Sequence, residues 1–267
     1  KKYDVVIDEI DVCPVQIQGP LSEDLMAKLA GEELRDVPYY GIMETQVGGA
    51  DVVISQTGFT GEKGYEIYVR DAHQNAEKVW NAVLEGGEEF GLMVIAPAHH
   101  RRIAAGILSW GQDLDHETSP FQVNLAYQVP RNKKADYIGK DALEKQRAMI
   151  DEGTPPFKMK MVGITLGGKE ITDYAPDFWL IADTDGNDMG YVTSPWWSPE
   201  LSTNIALAWV PWASSDIGTK LLVRLPDEFS ESPGVPVDAE IVDVPFRESV
   251  NPNKREVQSA KGLDFAD

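Results

Sequence analysis

The segment Thr57-Gly58-Phe59-Thr60-Gly61-Glu62-Lys63-Gly64 separates two β-rich runs, Val52-Val53-Ile54 and Tyr65-Glu66-Ile67-Tyr68-Val69. Glycines packed this densely between strands describe a hairpin whose backbone adopts positive φ or lies against something very close. Glu66 falls just inside the second strand, where its carboxylate is held stiffly beside the turn. A rigid carboxylate can accept two parallel N–H bonds from the flat, amidine-like edge of a ring. Taken alone, the segment also reads as a surface hairpin with an exposed glutamate.

The 267 residues, 42% hydrophobic and 25% charged, suffice for one large or two modest domains. A net charge of −20 argues against nucleic acid and anionic membrane surfaces as partners, because no basic stripe exists to neutralise phosphates. It fits solubility or a salty medium, with steering of a cationic substrate as the functional alternative. Cys13 is the single cysteine and can form no internal disulfide, which fits a reducing cytoplasm. Next to Pro14 in an apolar run, it is expected to be buried and inert. No apolar run reaches transmembrane length and no signal-peptide core is present, so a cytoplasmic location is expected. The chain opens Lys-Lys-Tyr without Met, as an excised, processed or partial product would.

Spacing predicts helices from Ser22, with Ser22 as N-cap, over 72–86 with Ala76, Val79, Trp80, Val83 and Leu84 inward, over 97–108, and over 141–149. Gly153-Thr154-Pro155-Pro156 is a linker-like break. After it, short β-patterned runs are expected over 158–165, 178–182, 190–193, 204–210, 220–224 and 239–244. Polar turns between them describe a small barrel or sandwich.

Familiar catalytic signatures are absent: no Walker loop, HExxH, GxSxG or CxxC. His99 and His100 are adjacent, so on a helix their side chains point about 100° apart and do not converge on one metal. No metal site is expected. Asp113 and Asp115 could act as an acid–base or metal pair, but such residues more often satisfy turn N–H groups. Trp196, Trp197, Trp209 and Trp212 could form a platform or pack an interior.

TGFTGEKGYEIYV, from Thr57 to Val69, resembles the glycine-rich signature of the glycine-cleavage T-protein (aminomethyltransferase) family, which includes the dimethylsulfoniopropionate demethylases. In family order come Gln18-Gly19-Pro20, then Gly111 to Phe121 (G-x-D-x-D-x-x-T-x-P, with Gln122 where the family closes on Glu). Tyr137-Ile138-Gly139-Lys140-Asp141-Ala142-Leu143 and Gly190 to Pro199 with Ile205-Ala206-Leu207-Ala208 follow. The resemblance implies an α+β fold, T-protein-like, with antiparallel sheets and helices followed by a C-terminal β-barrel. It implies a central folate-binding region over 1–150, a barrel over 151–250 and a tail over 251–267.

It further implies a tetrahydrofolate-dependent one-carbon transferase or demethylase acting on a small methylated donor. The alternatives are a glycine-cleavage aminomethyltransferase and a folate-binding assembly protein without turnover. By alignment Glu66 would hold the pteridine edge, Phe59 would stand where the family often has Tyr, and Arg102 and Trp110 would line the ligand channel. Arg102 reads equally as half of an internal salt bridge, and Trp110 as core packing. Ala98 and Ala104 replace the first Arg and the Glu of the family's helix, which favours a stand-alone demethylase. The family's assisting acid precedes the Gln-Gly-Pro element, so no catalytic residue is assigned and a separate N-terminal polypeptide is an expected partner.

Overall fold

A computed structural model describes residues 4–96, 99–131, 133–174 and 177–247. Two compact units divide at 97/98. The first carries an antiparallel sheet in the order β1-β4-β3-β2, formed by β1 (Val12–Gln18), β2 (Ile42–Val47), β3 (Ala50–Ser55) and β4 (Gly64–Arg70). Period-two alternation sends Ile17, Val52, Ile54, Tyr65, Ile67 and Val69 to one face. That face is covered by α1 (Ser22–Ala30) through Leu25 and Met26 and by α2 (Ala72–Gly87) through Val79 and Val83. The opposite face carries Gln16, Ser55, Glu66 and Tyr68, since Gln16 and Ser55 both pair with Glu66. The side chain of Trp80, expected inward, is 39% exposed.

The glycine hairpin is explained by close approach. The Gln18 carboxamide lies across it, donating to the Thr57 and Tyr65 carbonyls at 3.1 and 3.4 Å and accepting from Thr60 Oγ1 at 3.0 Å. A Cβ on Gly58 would stand 2.1 Å from Gln18 Oε1, and one on Gly64 2.4 Å from Gln18 Cδ. Gly61 alone in this trio needs positive φ, at +74°. Ser22 is inside α1 rather than capping it: its hydroxyl donates to the Lys63 carbonyl at 3.0 Å, and the Gly19 N–H donates to the same oxygen at 2.8 Å. The two segments of the sequence signature thus form one knot. Cys13, expected buried, is exposed: β1 pairs with β4 alone, and an edge strand has one side without a neighbour.

The second unit contains a closed six-strand barrel, β10-β5-β8-β7-β6-β9. Its strands are β5 (Met159–Leu166), β6 (Trp179–Ala182), β7 (Asp188–Ser198), β8 (Thr203–Pro211), β9 (Lys220–Val223) and β10 (Val237–Val242). The interior is filled by Ile164, Ile181, Val192, Ala206, Ala208, Val223 and Ile241 with their neighbours. A second apolar cluster lies outside it, where Ile103 of α3 (His99–Ala104) meets Met161, Ile205, Leu207 and Trp209. The helix expected to run to 108 stops at 104. The Ile107 N–H returns to the Arg102 carbonyl and the Gly106 N–H to that of Ile103, with Gly106 at φ +71°, a Schellman closure. The fourth helix, α4 (Lys140–Asp151), matches the expected one closely. Pro97, Ala98 and the 251–267 tail lie outside the described residues.

Gly58→Ala should destabilise the first unit by roughly 1–3 kcal/mol through overpacking. Because the clash is with Gln18, the Gly58→Ala/Gln18→Ala pair should lose less than the sum of the two single changes. Urea titration of the four proteins checks this, and strictly additive losses would show that the carboxamide is not what the glycine accommodates.

Candidate functional site

Glu66 is half-buried on β4, next to the glycine hairpin. Its Oε1 accepts from Gln16 Nε2 at 3.1 Å, and its Oε2 accepts from Tyr68 Oη at 3.2 Å and from Thr57 Oγ1. A carboxylate offers about four lone-pair directions; these three bonds fix its plane and leave one on Oε1. The neighbouring carboxylate and, first, burial push the Tyr68 phenol above its ordinary value of 10.0, so it stays a donor. Phe59, in the same hairpin loop, exposes 40% of its surface.

Arg102 occupies a different setting in the second unit. It is 2% exposed and ion-paired to Asp113 at 2.9 Å, with the Asp113 side chain fully buried. Arg102 Nη1 also donates to the Ile107 carbonyl at 3.1 Å, and Nη2 donates to Ser194 Oγ at 2.8 Å and Gln112 Oε1 at 3.3 Å. Asp113 accepts further from Thr193 Oγ1 at 2.6 Å, Ser194 Oγ at 2.5 Å and the Ser109 N–H at 2.7 Å. A β-bulge at Thr193 explains how consecutive residues reach one carboxylate: strand alternation is broken between Val192 and Ser194. Trp209 Nε1 donates to the Asp113 backbone carbonyl at 3.0 Å, which gives this tryptophan a packing role.

Trp110 is 68% exposed and forms an isolated bridge with Leu114. Asp115 is a turn former: it accepts from the Glu117 N–H at 2.9 Å and Thr118 Oγ1 at 3.1 Å, and these bonds, the backbone one foremost, lower its pKa. Gln122 needs to be an amide here. Its Oε1 accepts from the Ser119 N–H and its Nε2 donates to the Met159 carbonyl, at 3.1 Å each; an ionised glutamate could not make the second bond. Among the described residues no three His, Cys, Asp or Glu side chains are grouped as metal ligands, and no helix is long and apolar enough to cross a membrane.

The structure therefore brings Glu66 together with Gln16, Thr57 and Tyr68, and Arg102 with Asp113, Thr193 and Ser194. Sequence reasoning missed Gln16, Thr57 and Tyr68. The available signal was β-pairing: a strand ending at Gln18 opposite Gly64 sets Gln16 beside Glu66. Thr193 and Ser194 carried no such signal, because a bulge is not visible in alternation.

Burial, then the charge of Arg102, lowers the His99 pKa from the ordinary 6.5, and burial, then Arg101, lowers that of His100. The native state thus favours neutral imidazoles while the unfolded chain protonates near 6.5. Their contribution to stability is complete above that value and is lost as pH falls toward the lowered native pKa. Replacing both by Gln should flatten the fall in urea midpoint as pH drops below about 6.5; an unchanged slope would contradict it. Arg102→Ala and Asp113→Ala should each cost about 3–5 kcal/mol by leaving a buried charge alone, and the double change should cost well under their sum, read by thermal or urea denaturation.

A family model described as the GCVT N-terminal domain matches residues 1–133, and one described as the glycine cleavage T-protein C-terminal barrel domain matches 160–247. The chain is 30% identical over 239 residues to an aminomethyltransferase of Geobacillus sp. (strain WCH70), covering 88% of this chain and 60% of that protein. It is 32% identical over 225 residues to the dimethylsulfoniopropionate demethylase of Ruegeria pomeroyi, covering 84% and 58%. The crystal structure of the glycine cleavage system aminomethyltransferase T from Bartonella henselae superposes with a TM-score of 0.68 at 25% identity, covering 89% of this chain and 60% of that one. The chain thus spans about 60% of the length of the relatives it matches. The chain belongs to the glycine-cleavage T-protein and dimethylsulfoniopropionate demethylase family.

Proposed function

We propose that this chain is part of a tetrahydrofolate-dependent one-carbon transferase that moves a methyl group from a small methylated donor to folate N5. The observation that supports this most is the Glu66 carboxylate, oriented by Gln16, Thr57 and Tyr68. Its residues fit the cofactor: a half-buried, fixed acceptor with an open lone pair on Oε1 suits the N–H edge of a pterin ring. Tetrahydrofolate, when bound, supplies the nitrogen that accepts the one-carbon unit.

On this reading Glu66 binds and orients. Phe59, exposed in the same loop, gives a ring surface without a hydroxyl. Arg102 and Trp110 are proposed ligand-channel residues; Arg102 would act chiefly by fixing the loop that carries Trp110, since its Nη atoms are engaged by Asp113, Ser194 and Gln112. Holding reactants in line supplies much of the rate in such transfers. This proposal assigns the acid that assists transfer to none of these residues. A module boundary near 150, with a barrel over 151–250, is part of the same proposal.

The relatives named aminomethyltransferase support the glycine-cleavage reaction equally well. Ala104, where the family helix has Glu, is buried at 3% exposure against Ile103 and the barrel's outer cluster. That departure favours the demethylase reading.

Glu66→Gln should weaken tetrahydrofolate binding by roughly 1.5–3 kcal/mol, the worth of a hydrogen bond to a charged group. Calorimetry on the chain together with any co-purifying polypeptide measures it, with circular dichroism confirming the fold. Unchanged affinity would refute the assignment. In a donor screen, sulfonium and methylamine compounds should yield methyl-folate without the lipoyl carrier protein; turnover with that carrier alone would favour the glycine-cleavage reaction.

A further inference from the structure

Charge is spread unevenly along this chain. Residues 131–160 hold eight lysines and arginines against five acids, a net +3, while the other residues together carry −23. Contacts gather much of that segment on one side of the second unit. Gln146 of α4 accepts from Ser119 Oγ at 2.8 Å, and Arg147 donates to the Val129 carbonyl and lies 4.8 Å from the centre of the Phe121 ring. Two of the cations are spent. Arg131 donates to both Asp151 oxygens, at 2.7 and 3.0 Å, and Lys140 stands 4.0 Å from Glu144. Lys133, Lys134 and Lys145 are exposed and form no ion pair with any described carboxylate.

An apolar group stands among these lysines. The Lys140 N–H returns to the Tyr137 carbonyl at 3.2 Å, and Gly139 has φ +86° and ψ 2°. This is a type II turn with Ile138 at its first central position. The loop is held in place by its own contacts: Lys140 Nζ donates to the Lys133 carbonyl at 3.4 Å, and the Lys133 ammonium sits 4.8 Å from the Tyr137 ring. Ile138 is fully exposed, more so than any other large apolar side chain among the described residues. A scattered exposed aliphatic group needs no explanation. One fixed at a turn apex, in a loop that Lys140 closes onto Lys133 and Lys134 precedes, forms a small apolar spot with a cationic rim.

We infer that this face docks a short acidic segment of a partner polypeptide, with carboxylates on Lys133, Lys134 and Lys145 and an aliphatic side chain against Ile138. The charge distribution sets the class of partner. Charges are screened over about 8 Å at physiological ionic strength, so a partner wider than the patch also meets the −23 carried elsewhere. A nucleic acid or an anionic membrane plane extends its charge well past the patch and is repelled there. A second copy brings a net charge of −20 with it and is opposed for the same reason. A segment whose negative charge ends where the lysines end is attracted without that repulsion, and an aliphatic residue within it takes the Ile138 surface out of water. The inference is independent of Glu66 and of folate, because every residue it uses is in the second unit.

The probe is a fluorescein-labelled peptide with a central leucine flanked by two glutamates on each side, titrated with the full chain and read by anisotropy. Saturable binding is expected, weakening as salt rises, and the same peptide with glutamine for glutamate should not bind. The Lys134→Glu/Lys145→Glu double variant should weaken the peptide by about tenfold, and Ile138→Ser by about threefold. All three side chains are exposed, so circular dichroism should show an unchanged fold. Lys78→Glu, an exposed lysine of the first unit, alters net charge in the same direction and should leave binding unchanged. No saturable binding up to about 1 mM, or as large a loss with Lys78→Glu as with the double variant, would overturn the inference. So would an Ile138→Ser chain that binds as tightly as the parent. Tighter binding to phosphatidylglycerol vesicles or to single-stranded DNA than to the peptide would assign the face to another class of partner. Sedimentation showing a dimer that the double variant abolishes would assign it to a second copy; each of these results also overturns the inference.

Discussion

The second unit depends on one buried ion pair. Arg102 comes from a six-residue helix and Asp113 from an irregular loop. A lone buried charge would be strongly unfavourable, so each requires the other. Satisfying the remaining donors and acceptors then recruits Ser109, Gln112, Thr193 and Ser194. The pair thereby fastens the 105–115 loop to a bulged barrel strand. Replacing it by apolar residues of similar volume would keep the volume but lose the geometry, because four hydrogen-bond directions at Asp113 locate the loop and a hydrophobic contact does not.

The first unit solves the equivalent problem with an uncharged group. Gln18 belongs to the strand that ends at the sheet edge, yet its carboxamide reaches across the hairpin and bonds on both of its sides. Gly58 and Gly64 leave the space it occupies. The consequence is felt at Glu66, two residues beyond Gly64. A stiff hairpin keeps Thr57 within reach of the carboxylate, and the strand that carries Gln18 also delivers Gln16. Local rigidity and the orientation of a candidate binding group thus have the same origin.

Both sites show the same division between charge and support. A single acidic residue stands out in the sequence as Glu66 or Asp113, and neutral polar residues decide what it does. Glutamine, threonine and tyrosine donors fix Glu66 at a partly open face, where one lone pair on Oε1 remains unused. Similar donors close around Asp113, where nothing remains open and the role is structural. Exposure separates the two: Glu66 is half-buried, Asp113 is 1% exposed.

The sequence by itself determined the order of helices and strands, because periodicity and turn residues are local properties carried by neighbours along the chain; periodicity left barrel and sandwich both open after residue 158, and the motifs resembling a known family pointed to the α+β class and the barrel. It also marked Glu66, through the glycines beside it. Only the tertiary structure decided that the glycines make room for Gln18, that Arg102 is spent on Asp113, that the Ser22 hydroxyl serves the Lys63 carbonyl rather than a helix end, and that Cys13 is exposed. Each of those depends on which strand lies beside which, or on a one-residue bulge that turns Thr193 and Ser194 toward the same carboxylate. Pairing and bulges join residues far apart in the chain, and no local pattern records them.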